Sequence, residues 1–226
     1  DGGTTRRGLL FRSDSLGDVT AADVARLAAL GIDTVVDLRS PWERKAKPNR
    51  VPGERPRQIV HGFLPQATRE MIDAINDGRF GRREVYAHML AQYRRLALDH
   101  LDVLRRLFDD VFAHDFAAGA LLIHCTSGKD RTGIAAAAIE LAIDVEPEEI
   151  MADYALSHRH RRAVDFFRPE ADPDAVAEIL SARPAFLDAA FTAARERFGS
   201  LDRYLDAGLG ITPARRDALR TRLVGA

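Results

Sequence analysis

The sequence predicts an α/β fold: a small central, largely parallel sheet flanked by helices, with a helical insertion over about 66–115 and a helical C-terminal part. Two observations lead there. The strand-like runs are few and short, and all lie before residue 125. Helix-period patterns fill the segment from Arg82 to His114 and nearly everything after Glu146.

Taken in order, Gly8 to Arg12 is the first strand, built on Leu9, Leu10 and Phe11. Thr20 with Asp23 three residues on has the form of a capping box. The helix it opens carries Val24, Leu27, Ala28 and Leu30 on one face and stops at Gly31. Ile32 to Leu38 is β-branched and reads as a buried strand. Ser40 to Pro56, rich in proline and charge, is expected to be loop, with Pro41-Trp42-Glu43 a surface turn. Gln58 to His61 is a further strand and Arg69 to Asp77 a short helix ended by Gly78. Arg82 to His114 is long enough for two helices or one bent one. Ala120 to His124 is an apolar strand, followed by an Ala-rich helix from Thr132 to Ile143. Asp172 and Thr212, each followed by proline, suit helix N-caps.

Length and composition fit one domain spanning 1–226. The 226 residues are 46% hydrophobic and 30% charged. With 33 basic and 34 acidic residues the net charge is -1, so no global basic field exists to hold nucleic acid or an anionic membrane. No run of about 18 apolar residues suggests stable membrane insertion. The composition favours a cytoplasmic protein and leaves export open. A single cysteine rules out an internal disulfide. No cofactor is implied, and no metal: His158 and His160 are two residues apart, which on a helix turns them away from each other. The basic run Ser157 to Arg162 is expected to be a solvated helix face, with the mouth of a site as the alternative.

The chemistry concentrates in Leu121-Leu-Ile-His-Cys-Thr-Ser-Gly-Lys-Asp-Arg-Thr-Gly133, a strand, a Cys-x5-Arg loop and a helix start. A thiolate at Cys125 would face the free N–H groups and positive end of the helix, which favour the anion. The N–H groups of Thr126, Ser127, Gly128 and Lys129 would form a cradle for phosphate or sulfate. Gly128 permits close backbone approach, and Arg131 offers a planar fork for phosphoryl oxygens. Thr132 could donate to the sulfur, and His124 could orient the loop. The alternative, a buried inert cysteine beside a capping arginine, leaves this constellation unexplained.

His124-Cys125-Thr126-Ser127-Gly128-Lys129-Asp130-Arg131-Thr132-Gly133 resembles the signature of the protein tyrosine phosphatase superfamily, and its Gly-Lys-Asp-Arg-Thr-Gly form resembles the mycobacterial tyrosine phosphatase B family. The likeness extends to Phe11-Arg12-Ser13, Val36-Asp37-Leu38-Arg39 and Asp153-Tyr154. It implies a tyrosine phosphatase-like fold and phosphatase activity on phosphotyrosine, phosphoserine/threonine or phosphoinositides. It also implies a helical lid within 66–115.

A leaving alkoxide or phenoxide needs a proton. Trp-Pro-Asp, the usual acid tripeptide of the superfamily, is absent. Asp130 is therefore the first candidate acid, as the resemblance implies, and Asp37 the second; Asp37 and Arg12 otherwise support the loop. Lys129 would add a second positive charge suited to a phosphoinositide. The expected function is a cysteine-dependent phosphatase of phosphotyrosine. The alternatives are a phosphoinositide phosphatase, a phosphate-reading module without turnover, and a sulfurtransferase; the last usually has a shorter loop.

Overall fold

The computed structural model describes residues 3–51, 56–160 and 165–225, except for the side chain of His160. Part of the expected loop (52–55) and Arg161 and Arg162 of the basic run lie outside the described residues.

Four parallel strands form the central sheet in the order β2-β5-β3-β4. They are β2 (Leu10–Ser13), β3 (Ile32–Asp37), β4 (Arg57–Val60) and β5 (Ala120–His124). β5 pairs on one side with β2, setting Ser13 opposite His124, and on the other with β3, setting Asp37 opposite His124. The ends of three strands thus converge where the signature loop begins. In an open α/β sheet this edge is where ligands bind. A second, two-stranded sheet that the sequence did not suggest pairs β1 (Thr4–Thr5) with β6 (Val224–Gly225) and ties the two ends of the chain together.

Alternation along β5 explains the two cores. Leu121 and Ile123 face the large core, whereas Ala120 and Leu122 face a smaller one with Leu16, Val19, Ile32, Val35 and Val51. The smaller core is covered by α1 (Ala21–Ala29), whose start is the predicted Thr20/Asp23 capping box. Gly31 then turns the chain at φ 69°.

Prolines and a capping box make a helix where loop was expected. α2 (Pro41–Ala46) has Ser40 as N-cap, Pro41 in its first turn and Glu43 closing the box. α3 (Thr68–Asn76) follows. The long amphipathic stretch divides at Asp99–His100 into α4 (Arg82–Leu98) and α5 (Leu101–Ala113). α4 lies within the helical layer, and its Val85, Met89, Tyr93 and Leu96 are fully buried.

The signature helix α6 (Asp130–Ala142) begins two residues earlier than its Ala-rich pattern indicated. Small residues at 135, 137, 138 and 142 let it pack closely under the sheet. Gly133 is required there, because a Cβ would lie 2.9 Å from the Tyr154 ring. α7 (Pro147–His160), α8 (Pro173–Ile179), α9 (Pro184–Phe198), the short α10 (Leu201–Arg203) with its π-turn, and α11 (Pro213–Leu223) complete the described helices. Asp172 and Thr212 are the N-caps predicted for α8 and α11. No described helix is long and apolar enough to cross a membrane.

Candidate active site

Cys125 follows β5 directly and is 1% exposed. The loop after it turns at Gly128 with φ 62°. The ladder of α6 starts with Gly133 N–H donating to the Lys129 carbonyl at 2.8 Å. The preceding N–H groups at the helix start are therefore not consumed by α6. The loop is held from outside. Ser15 N donates to the Thr126 carbonyl at 3.1 Å, and Arg12 Nη2 donates to the Gly128 carbonyl at 3.0 Å. Arg12 reaches on to Asp153 Oδ2 at 2.5 Å and to the Ser157 hydroxyl, linking the loop to α7.

Beneath the loop lies a buried polar network. Asp37 accepts from Arg39 N, Nε and Nη2, the last at 2.8 Å, and from Asn49 Nδ2. Arg39 also reaches Ser15 Oγ, the Lys47 carbonyl and Asn49 Oδ1. Burial alone would raise the Asp37 pKa, but the Arg39 hydrogen bonds and the nearby charges hold it below its ordinary value. Asp37 is thus a carboxylate braced by arginine and has no proton to give at neutral pH. His124 is fully buried. Desolvation lowers its pKa to about 4 against the pull of Asp37, so the ring is neutral and its Nδ1 can donate to the Cys125 carbonyl at 3.2 Å.

Arg131 carries the main surprise. Its Nη1 donates to the carbonyls of Leu38 (3.1 Å) and Phe63 (2.8 Å). Its two terminal nitrogens grip the carboxylate of Glu43, each at 2.7 Å. Glu43 also accepts from the Thr126 hydroxyl and, through its capping-box bond, from Ser40 N. The Pro41-Trp42-Glu43 segment, expected to be a surface turn, therefore delivers a buried anion to the signature arginine. The signal that could have found it was Ser40-Pro41-x-Glu43, a helix-start pattern. Burial works to raise the Glu43 pKa, but Arg131, Thr126 and Ser40 outweigh it and bring it down to about 2. Burial also disfavours the Arg131 charge, yet Glu43 and the Cys125 sulfur raise its pKa further above the ordinary value. Glu43 takes the end-on edge of the guanidinium, and among the described residues no hydrogen bond engages Nε. Nη2 also donates to the Thr126 hydroxyl at 3.3 Å, so Nε is the donor that remains for a second oxyanion.

Lys129 departs from expectation. Its ammonium is buried, 3.3 Å from Asp130 Oδ1, and donates to the carbonyls of Ile179 (2.5 Å) and Ser181 (3.1 Å) at the C-terminal end of α8. There it satisfies carbonyls that have no intrahelical partner. Asp130, at the first position of α6, is partly exposed and accepts from the Tyr93 hydroxyl at 2.7 Å. Ser127 lies half-buried on the loop. The Thr132 hydroxyl is buried without a hydrogen-bond partner. Among the described residues no cluster of three or more His, Cys, Asp or Glu could hold a metal ion.

Glu140 on α6 lies close to Asp153 of α7. Burial and the Asp153 charge raise its pKa to about 8, against the opposing charge of Arg12. A raised carboxyl pKa stabilises the fold most below its ordinary value of 4.5, and that contribution is lost as pH rises through about 8. Glu140→Gln should therefore flatten the pH dependence, and at pH 9 it should exceed the parent in stability by roughly 1–2 kcal/mol. Urea unfolding at pH 6 and pH 9 checks this; an unchanged decline in the variant contradicts it.

The chain matches the tyrosine phosphatase family over residues 1–225. The triple specificity protein phosphatase PtpB of Mycobacterium tuberculosis is 29% identical over 261 residues, covering 97% of this chain and 92% of that protein. A tyrosine-protein phosphatase candidate of Cupriavidus necator is 28% identical over 233 residues, covering 94% of this chain and 78% of its own length. The crystal structure of Pseudomonas aeruginosa TpbA is a looser likeness, at 20% identity and a TM-score of 0.36 over 81% of this chain and 86% of that one. With the match running through the strand, loop and helix described above, the chain belongs to the tyrosine phosphatase family and is a protein-tyrosine phosphatase.

Proposed function

We propose that the enzyme hydrolyses phosphotyrosine through a Cys125 thiolate and a phosphocysteine intermediate, as a single phosphatase domain. The observation that carries this reading is the placement of Cys125 directly after the central strand, in the loop that leads into α6, with Arg131 held by Glu43 and close enough to feel the sulfur's charge. In the first step the sulfur attacks phosphorus as the ester P–O bond breaks, and the leaving oxygen takes the proton of Asp130. In the second, water attacks the phosphocysteine and returns a proton to Asp130. The S–P bond breaks, releasing inorganic phosphate and the thiolate. The N–H groups of Thr126, Ser127, Gly128 and Lys129 and the Nε of Arg131 hold the three non-bridging oxygens, where charge shifts during transfer. Thr132 supplies a donor on α6 that the departing sulfur can recruit.

Asp130 is preferred as the acid because Asp37 is fully buried and committed to Arg39. A phenol, with a pKa of about 10, leaves more readily than an alcohol. Phosphotyrosine should therefore be the fastest substrate, and phosphoserine and phosphothreonine slower ones. The Lys129 ammonium is engaged by the Ile179 and Ser181 carbonyls and by Asp130 Oδ1, which does not favour the phosphoinositide alternative. No step draws on a metal, so EDTA should leave hydrolysis of a phosphotyrosine peptide within about twofold of the untreated rate. Loss of activity on chelation, restored by a divalent cation, would contradict the thiolate reading.

A further inference from the structure

Behind Asp130 lies a chain of two buried phenols. The Tyr93 hydroxyl, from α4, donates to Asp130 Oδ1 at 2.7 Å. Its oxygen is 2.5 Å from the Tyr154 hydroxyl of α7. Each phenol has one proton. Since that of Tyr93 is directed to Asp130, that of Tyr154 bridges to Tyr93. The rings meet edge to face, with centroids 6.0 Å apart, and both residues are essentially inaccessible to solvent. Burial first, and then the Asp130 charge, push both phenol pKa values well above the ordinary one, so both remain donors. Lys129 Nζ stands 3.3 Å from the same oxygen, Oδ1.

Two donors thus converge on one carboxyl oxygen, and a proton on that oxygen would collide with both. We propose that Tyr93, backed by Tyr154, is a positioning residue for the acid step: it anchors Oδ1 of Asp130, so that the transferable proton resides on Oδ2. This rests on Asp130 being the general acid. As the ester bond breaks, the proton passes from Oδ2 to the leaving oxygen. The new carboxylate meets hydrogen bonds already in place from Tyr93 and Lys129, and such bonds strengthen when their acceptor becomes charged. Neither phenol loses its proton in the step.

A purely architectural role for the pair would affect every substrate alike, whereas a positioning role affects those that need the proton. The test is kcat/KM for Tyr93→Phe, Tyr154→Phe and Asp130→Asn on a series of aryl phosphates whose phenols run from strongly to weakly acidic. Tyr93→Phe keeps the ring that packs on Phe186. It should stay within about twofold of the parent on the most acidic phenol and fall about tenfold on the least acidic. Tyr154→Phe should show the same slope more weakly, since the bond from Tyr93 survives. Asp130→Asn should show it most steeply, by about a hundredfold or more. An equal loss across the series in both tyrosine variants, or no loss, overturns the positioning role while a steep slope in Asp130→Asn leaves the acid in place. A flat response in Asp130→Asn overturns the acid assignment itself. Should Tyr93→Phe fail to fold, the slope of Tyr154→Phe decides.

Discussion

Arg131→Lys is expected to lower kcat/KM for a phosphotyrosine peptide by about a thousandfold or more, on the scale of losing a preorganised donor set at a transferring phosphoryl group. Charge is conserved in this substitution, so the loss measures geometry. The guanidinium simultaneously holds Glu43 on its end-on edge, two carbonyls from the loops after β3 and β4, and the Thr126 hydroxyl. A lysine has one nitrogen with which to replace this array. It offers no planar edge to phosphate and leaves part of the Glu43 carboxylate unpaired in a buried position. Stability should fall as well, by roughly 2–4 kcal/mol, because a buried ion pair that loses one partner's geometry keeps its desolvation cost. Initial rates and urea unfolding on the same preparation check both parts. A variant that keeps a tenth of the parent rate would show that the fork is not what stabilises the transferring group.

Gly128→Ala is expected to reduce activity about a hundredfold and stability by roughly 2–4 kcal/mol. Two effects act together. The residue sits at φ 62°, where a Cβ clashes with its own backbone. That Cβ would also lie 2.6 Å from the Ser13 carbonyl oxygen and 2.8 Å from the Asp14 nitrogen. These are backbone atoms at the end of β2, whose register with β5 is fixed by Ser13 opposite His124. They have little freedom to yield, so the loop must move instead, and a displacement of a few tenths of an ångström shifts every N–H aimed at the phosphoryl oxygens. Near-parent activity with an unchanged melting transition would contradict this account of the turn.

The sequence made the centre of the site legible and left its surroundings obscure, for a physical reason. Cys125, Gly128 and Arg131 announce themselves because a strand, a Cys-x5-Arg loop and a helix start form one contiguous segment. Glu43 comes from a different segment, and its partner lies 88 positions along the chain. Local reading registered its prolines and charges as loop, although Ser40 with Glu43 is a helix-start pattern whose outcome is α2. Lys129 shows the opposite error: its neighbours in sequence suggest a charge in the cradle, while its ammonium follows the fold to the end of α8. Tyr93 looked like one apolar position of an amphipathic helix, and only tertiary packing shows that its hydroxyl meets Asp130. Apart from α2, the strands of the central sheet and the long helices were recovered because period and capping residues are local. The β1–β6 pairing was not, because it joins the two ends of the chain in runs of two residues.

The central claim is that phosphorus passes through the sulfur of Cys125. Rapid quenching of the enzyme during turnover of a phosphotyrosine peptide, followed by intact-mass measurement and peptide mapping, tests it most directly. The account predicts a transient gain of one phosphoryl group, located on Cys125 and absent from Cys125→Ser. Full turnover by Cys125→Ser, or a phosphoryl group trapped on another residue, would contradict it.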